Sequence, residues 1–174
     1  MPLLVVKLDV NRVNTEQYIE IRRSIPLEEV SFGYRAVKLF PVDELEEGQL
    51  GYSIGDSGED FTGGDVGDWR RSWLVIGYEN SLGDPLFVDL SAPELPVFTA
   101  AHGEGEWNPV LVASSFSGFI EALKEVERVS KGRSNPVEAE RNPLLDGERQ
   151  RVLSRIAELN GNAPLEFWES WFEV

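Results

Sequence analysis

The sequence predicts an α+β domain with a mostly antiparallel sheet, and three observations support this fold class. Residues 73–113 alternate short apolar runs with clusters of Gly, Asn, Pro and Asp, a pattern typical of β-hairpins. Residues 116–126 carry apolar side chains at helical spacing, which indicates a helix that packs on the sheet. With 174 residues, 41% of them hydrophobic, the chain is long enough to bury one core.

The N-terminal residues predict two short elements. Residues 2–10 are rich in apolar and β-branched side chains and indicate a first strand. Residues 16–25 fit a short helix capped by Asn14 or Thr15, and they also fit a strand, so both alternatives stay open. Pro26 ends this element in either case.

The next segment predicts two strands and then a long loop. Residues 35–40 and 49–54 have strand-like composition, and residues 42–48 between them fit a single helical turn. Residues 55–69 hold five glycines and five acidic residues without apolar periodicity, which indicates a loop. The strand that follows is apolar at every position from Trp73 to Ile76, as expected for a central strand covered on both faces.

The clearest helix of the chain follows the hairpins. Its apolar stripe runs from Phe116 to Val126, and Ser114 or Ser115 is the natural N-cap. Residues 130–142 after it are polar and predict a linker.

Two further helices are predicted at the C-terminus. The first runs from Pro143 to Asn160 and is stopped by Gly161. Residues 164–174 form a short helix with aromatic side chains all around it, so we expect it to fold back and be buried, with partner binding as the alternative. The predicted organisation is an α+β domain over residues 1–130, followed over residues 131–174 by the linker and two helices that pack on it.

Acidic residues are concentrated in the middle of the chain. The net charge is −15, and residues 39–123 hold sixteen acids but only two bases, Arg70 and Arg71, so −14 of the net charge lies there. Such a field repels nucleic acid and anionic membranes and attracts cationic partners. Solubility alone is the other explanation for so acidic a composition.

The composition also bears on location. No apolar run approaches the ~20 residues that a membrane helix needs. The chain does not open on a secretory signal pattern, and it has no cysteine, which excludes disulfides and Cys-based zinc sites. We therefore expect a cytoplasmic protein without a membrane or nucleic-acid partner.

Two short motifs suggest a serine protease and fail on their context. GDSG at residues 55–58 and TAAH at residues 99–102 both occur in trypsin-like proteases. That family places the histidine first, whereas here Ser57 precedes His102. Acidic neighbours such as Asp56 would also oppose the negative charge that develops during serine catalysis. The motifs therefore do not predict a protease.

His102 leaves a hydrolase open as an alternative. It is the only histidine and could act with Asp84 or Glu104 in a small carboxylate- or metal-dependent hydrolase. The segment HGEGE fits neither a zinc helix nor a calcium loop, and no phosphate-binding glycine motif is present. We therefore predict no catalytic residues, no metal and no cofactor.

Residues 73–90, WLVIGYENSLGDPLFVDL, resemble the SMI1/KNR4-type family of the SUKH superfamily. The shared pattern is a strand led by tryptophan, a glycine-containing turn, and a strand with a late acidic residue. The usual Gly-Gly of the turn is replaced here by Gly-Asp-Pro. The likeness covers about residues 34–129. Residues 1–33 do not show the family's usual opening, which is a helix that ends in a leucine-proline element and a helix that finishes on Asn-Gly. The resemblance implies structural roles for Trp73, Gly77, Gly83, Asp84, Pro85 and Asp89.

The resemblance implies both a fold and a function. The fold is a curved, mostly antiparallel sheet of about five to six strands with helices packed on one side. Bacterial members look like intracellular immunity proteins that bind toxins, many of which are nucleases, and other members are regulatory interaction proteins. We therefore expect a non-enzymatic binding protein whose partner is a basic toxin domain, with a regulatory scaffold that uses the aromatic C-terminal helix as an alternative.

The loop over residues 55–69 is the predicted partner-binding surface. Its carboxylates would complement the cationic surface with which a nuclease grips phosphates, and complementary charge accelerates association. Trp69 and Trp73 lie beside the loop as candidate aromatic anchors. A core position is the alternative for both and is favoured for Trp73. The predicted binding residues are Asp56, Glu59, Asp60, Asp65, Asp68 and Trp69.

Overall fold

The computed structural model describes residues 12–161 and 163–173, which form six antiparallel strands and five α-helices. This confirms the predicted α+β class. The strands are β1 (Glu29–Phe32), β2 (Arg35–Leu39), β3 (Trp73–Glu79), β4 (Pro85–Asp89), β5 (Val97–Thr99) and β6 (Val110–Ala113). The helices are α1 (Arg12–Ser24), α2 (Phe116–Ser130), α3 (Pro136–Arg141), α4 (Asp146–Asn160) and α5 (Glu166–Glu169).

The six strands form a sequential meander that curls into a half-barrel. Each strand pairs with the next one along the chain, so every connection is a hairpin or a longer loop between neighbours. The register shifts between Val75 and Gly77 where β3 pairs with β4, and such a bulge bends a strand. A Cβ atom at Gly77 would collide with the carbonyl oxygen of Lys38, so the close approach of β2 at this point requires glycine.

The helices cover one face of the sheet. Helix α2 is capped by Ser115, whose hydroxyl accepts a hydrogen bond of 3.0 Å from the Gly118 amide. Its predicted stripe is fully buried in the main core, together with side chains from α1, α4 and α5. The stripe consists of Phe116, Phe119, Ile120, Leu123 and Val126.

Helix α1 settles the alternative that the sequence left open for residues 16–25. Tyr18 is fully buried, and its ring lies 4.9 Å from that of Phe116 on α2. The helix therefore joins the main core through its apolar side. The strand predicted over residues 2–10 lies outside the described residues.

The other face of the sheet is covered by loops instead of helices. A second core cluster lies there, built from Trp69, Trp73, Val75, Phe87 and Ala100. Because Leu74 and Ile76 point into the main core, β3 is covered on both faces, as predicted.

Residues 49–54, predicted as a strand, do not form one. A 3-10 turn (Glu47–Gln49) precedes isolated bridges at Leu50 and Ile54. The buried side chain of Gln49 donates to the Val75 carbonyl at 2.8 Å and accepts from the Val75 amide at 3.0 Å. A side-chain amide thus satisfies the backbone of β3 in place of a neighbouring strand.

Two elements were missed and one boundary was misplaced. The sequence did not predict β1, and the predicted polar linker over residues 130–142 contains α3. That helix is capped by Asn135 and has proline in its first turn. Helix α4 begins at Asp146 instead of Pro143, and it ends at Asn160 with Gly161 as its C-cap, as predicted.

The C-terminal aromatic segment folds back onto the domain, as predicted. Helix α5 and a 3-10 turn (Ser170–Phe172) bury Trp168, Trp171 and Phe172 in the main core, and Phe167 packs against it partly buried. The Trp168 indole donates to the Val112 carbonyl of β6 at 3.0 Å, and the Phe172 ring lies 5.1 Å from that of Phe32 in β1. The C-terminal helices therefore share one core with the sheet.

Candidate functional site

Residues 55–69 form a loop whose acidic side chains face solvent. Asp56, Glu59, Asp60 and Asp65 are exposed, and Asp68 is partly buried. Isolated bridges between Ile54 and Asp60 and between Thr62 and Trp69 fold the loop back on itself. We call this segment the acidic loop.

Three of the five carboxylates also shape the acidic loop. Glu59 accepts a 3.0 Å hydrogen bond from the Ser57 amide, and Asp68 accepts one of 3.0 Å from the Asp65 amide. Asp60 accepts from both the amide and the hydroxyl of Thr62, at 2.9 and 2.7 Å. These are local turn contacts, and they hold the backbone in one conformation while the carboxylates stay at the surface.

Trp69 does not belong to the binding surface, so its prediction as a binding residue was wrong. Only 1% of it is exposed, and its indole donates to the Trp73 carbonyl at 3.0 Å. Its ring centroid lies 4.9–5.2 Å from those of Tyr52, Trp73, Phe87 and Trp107. Trp69 therefore anchors the end of the acidic loop from beneath. Trp73 is also core, as the sequence favoured.

The loop between β5 and β6 meets the acidic loop. A Cβ atom at Gly67, whose φ is 92°, would lie 3.0 Å from the carbonyl oxygen of Gly105. This contact places Glu106 and Trp107 beside the acidic loop. Neither residue was predicted to belong to the site, although a tryptophan within a glycine-rich acidic turn is a signal that the sequence contains.

A cavity of about 400 Å³ opens between the two loops. Three of its lining side chains are aromatic and three are carboxylates, while the rest of the lining is glycine. Nearby Val66 is 85% exposed. The six side chains that line the cavity are Tyr52, Phe61, Trp107, Asp60, Asp68 and Glu106.

His102 pairs with Asp84, one of the two carboxylates with which a hydrolase was considered. The His102 Nδ1 atom lies 2.8 Å from Asp84 Oδ1, and the His102 amide donates to the same oxygen at 3.2 Å. The pair joins the β3–β4 turn to the β5–β6 loop. Burial raises the pKa of the Tyr52 hydroxyl, and the negative charge of Asp84 raises it further. Glu104 is exposed and is not part of this pair.

Three residues of the pattern that resembles the SMI1/KNR4-type family lie in or beside turns. Gly83 lies in the β3–β4 turn with a φ of 75°, and buried Pro85 opens β4 opposite Tyr78. Asp89 accepts hydrogen bonds of 2.9 and 2.6 Å from the amide and hydroxyl of Ser91, which holds the turn after β4.

Within residues 12–161 and 163–173, no group of three His, Asp or Glu side chains is arranged to hold a metal ion. Across the same residues, no helix has the length and apolar character needed to cross a membrane. Comparison of the chain with protein-family models, curated proteins and solved structures finds no match.

Proposed function

We propose that this chain is a non-enzymatic cytoplasmic binding protein of the SUKH type, an immunity protein that neutralises a basic nuclease toxin. The acidic loop together with Glu106 would form the contact surface, which we call the acidic face. The observation that carries the proposal is the exposure of four loop carboxylates on a backbone that hydrogen bonds and a buried tryptophan hold in place.

The charge of the acidic face suits a cationic partner. A nuclease must be positively charged where it grips phosphates, and closely spaced carboxylates can occupy that surface as a nucleic acid would. Complementary fields also raise the rate of encounter, which favours an inhibitor that has to act before the toxin does.

The acidic loop is organised before any partner binds. Its turns are closed by Glu59, Asp60 and Asp68, and its end is anchored by Trp69. A preformed loop loses less conformational entropy on binding than a flexible one. The fixed geometry supports a role for the acidic loop in binding a partner, because charge that serves solubility alone needs no fixed geometry.

Exposed apolar side chains interrupt the acidic surface. Phe61 is 45% exposed and Val66 is 85% exposed, and both belong to the acidic loop. Protein interfaces combine apolar contacts with a polar rim, whereas a surface that serves solubility alone gains nothing from exposed phenylalanine. The mixture favours a protein as the partner.

The test is capture of purified basic nuclease toxin domains, beginning with any toxin that a neighbouring reading frame encodes. The association rate should fall at least about tenfold between roughly 0.05 and 0.5 M NaCl, because salt screens attraction between exposed charges. A triple variant, Asp56→Asn, Asp60→Asn and Asp65→Asn, should weaken capture, as measured by biolayer interferometry.

A matched triple variant controls for net charge. Glu127→Gln, Glu140→Gln and Glu166→Gln change the net charge by the same amount at exposed positions outside the acidic face. This variant should bind nearly as the unmodified chain does. A salt-independent complex, or equal losses in both triple variants, would contradict the electrostatic mechanism, and absence of capture would contradict the proposed function.

The His102–Asp84 pair is the observation that favours a hydrolase as the second candidate. A carboxylate that holds an imidazole at 2.8 Å resembles the base and orienting group of a hydrolytic site. This candidate predicts loss of hydrolysis in His102→Gln and, in its metal-dependent form, tight Zn²⁺ binding by calorimetry. A regulatory scaffold would need exposed aromatic side chains on the C-terminal helix, but Trp168 and Trp171 are buried.

A further inference from the structure

The cavity between the acidic loop and the β5–β6 loop combines two kinds of wall. Tyr52, Phe61 and Trp107 give it aromatic surface, and Asp60, Asp68 and Glu106 give it negative charge. No basic residue lines it. A smaller depression that Trp107 also lines has Arg70 in its wall in addition to acids, so the two depressions differ in charge.

The walls of the cavity define the chemistry of its occupant. Three carboxylates without a base repel phosphate and carboxylate groups and attract a cation. Aromatic rings attract a cation through the negative potential of their faces, and they also contact apolar groups. An occupant that satisfies both walls carries a positive charge on an apolar stem.

Arginine satisfies these walls better than lysine. Its guanidinium is planar, stacks on aromatic rings and is less strongly hydrated than an ammonium group, so it loses less on entering an aromatic cavity. Its several N–H donors can also reach more than one carboxylate, whereas the lysine ammonium is a compact point charge.

We propose that this cavity accepts an arginine side chain of the partner toxin and is the central anchor of the interface. This inference rests on the proposed function and adds to it the identity of the partner's main contact residue. The surrounding carboxylates Asp56 and Asp65 then steer the approach, while the aromatic cavity holds the complex. The cavity is formed by Tyr52 from the residues before the acidic loop, by the acidic loop itself, and by Trp107.

The first test uses the isolated protein and a small probe. N-acetyl-arginine amide is titrated while NMR follows the indole N–H signal of Trp107, assigned with the Trp107→Phe variant. The citrulline counterpart, a neutral molecule of nearly the same shape, and the lysine counterpart are titrated in parallel. The arginine probe should shift the Trp107 signal saturably, the lysine probe less, and the citrulline probe least.

A pair of isosteric variants in one loop provides the control. Glu106→Gln removes a charge that lines the cavity, and Glu104→Gln removes one in the same exposed loop that does not line it. Glu106→Gln should weaken arginine-probe binding several-fold, while Glu104→Gln should leave it nearly unchanged.

Trp107→Leu should lower toxin affinity about tenfold, and Trp107→Phe should restore most of it, as expected for a cation that contacts a ring.

The outcomes separate this inference from the proposed function. Equal shifts by the citrulline probe, no response to Glu106→Gln, or displacement of the arginine probe by Ca²⁺ would overturn the arginine cavity. Toxin capture that Glu106→Gln and Trp107→Leu do not weaken would overturn it as well and leave the proposed function standing. Absence of toxin capture by the unmodified chain would overturn the proposed function, whereas the probe titration is read independently on the protein alone.

Discussion

The hydroxyl group of Tyr18 is buried in the main core without a hydrogen-bond partner among the described residues. A buried polar group that has lost its hydration without gaining a partner destabilises the folded state. Tyr18→Phe should therefore raise the free energy of unfolding by about 1 kcal/mol at pH 7, measured by urea denaturation. Tyr34→Phe, at a position that is 75% exposed, should have no measurable effect.

The same hydroxyl predicts a loss of stability in alkali. Burial raises the pKa of Tyr18 far above its ordinary value of 10.0, an effect that nearby Arg22 partly opposes. The folded chain therefore keeps this proton while the unfolded chain releases it. The free energy of unfolding consequently falls as the pH rises above 10, because ionisation stabilises the unfolded chain alone. Urea denaturation between pH 8 and roughly pH 11 should show a decline that is smaller in Tyr18→Phe. An equal decline in both proteins would contradict this assignment.

Gly77 is the residue on which the close approach of β2 and β3 depends. Gly77→Ala places a methyl group against the Lys38 backbone, which cannot move away without breaking strand pairing. The variant should lose about 1–3 kcal/mol of unfolding free energy in urea denaturation, as overpacked cores do. Gly64→Ala in the acidic loop is the control, because its new methyl group would meet open space. Similar losses in the two variants would contradict the steric explanation.

Helix α5 contacts the sheet through the hydrogen bond from Trp168 to Val112 and through aromatic packing. Trp168→Phe keeps a ring in the core and leaves the Val112 carbonyl oxygen without its donor. The expected loss is about 1–3 kcal/mol of unfolding free energy, because that oxygen remains buried. Thermal unfolding followed by circular dichroism should remain a single transition at a lower midpoint. A separate early transition would show that α5 unfolds independently of the sheet.

Elements whose signals lie within a short stretch of sequence were predictable, and α2 is the clearest case. Its apolar stripe and its serine cap are encoded within fifteen residues. By contrast, residues 49–54 have strand-like composition, but the partner of β3 at this point is the side chain of Gln49. The Gln49 side chain takes the place of a paired strand through a contact with Val75, twenty-six residues away in the chain. Local composition does not reveal such a contact.

The candidate site was predictable only in its charge. Composition revealed the acidic loop, and four of its carboxylates are exposed, but an aromatic residue beside a charged loop can point outward or inward with the same sequence. Trp69 points inward because Tyr52, Phe87 and Trp107 surround it. Its neighbours come from distant segments, so the cavity at Trp107 depends on long-range packing that the sequence pattern does not specify.

The uneven distribution of charge should make the stability of the whole molecule depend on salt. Residues 39–123 carry a net charge of −14, and repulsion within them opposes the compact state. Raising NaCl from about 0.02 to 0.5 M should therefore raise the midpoint of thermal unfolding, because salt screens that repulsion. Calorimetry should show a smaller rise for the Asp56→Asn, Asp60→Asn, Asp65→Asn variant. A midpoint that falls with salt would show that attractive ion pairs dominate instead.

The two faces of the sheet differ in what covers them. Helices and the main core lie on one face, while the aromatic cluster, the acidic loop and the cavity lie on the other. Most of the buried aliphatic side chains belong to the helical face. The central strands β3 and β4 and the partly buried Phe40 contact both the main core and the aromatic cluster.

Anchoring the acidic loop by Trp69 has a consequence for how such a protein can diversify. The indole holds the loop from within, so outward-facing Asp56, Asp65 and Val66 are exchangeable without unfolding the domain. Under the proposed function, changes to a few outward side chains would fit the acidic loop to a different partner on an unchanged scaffold. Folding and recognition can then be inherited, and can vary, separately.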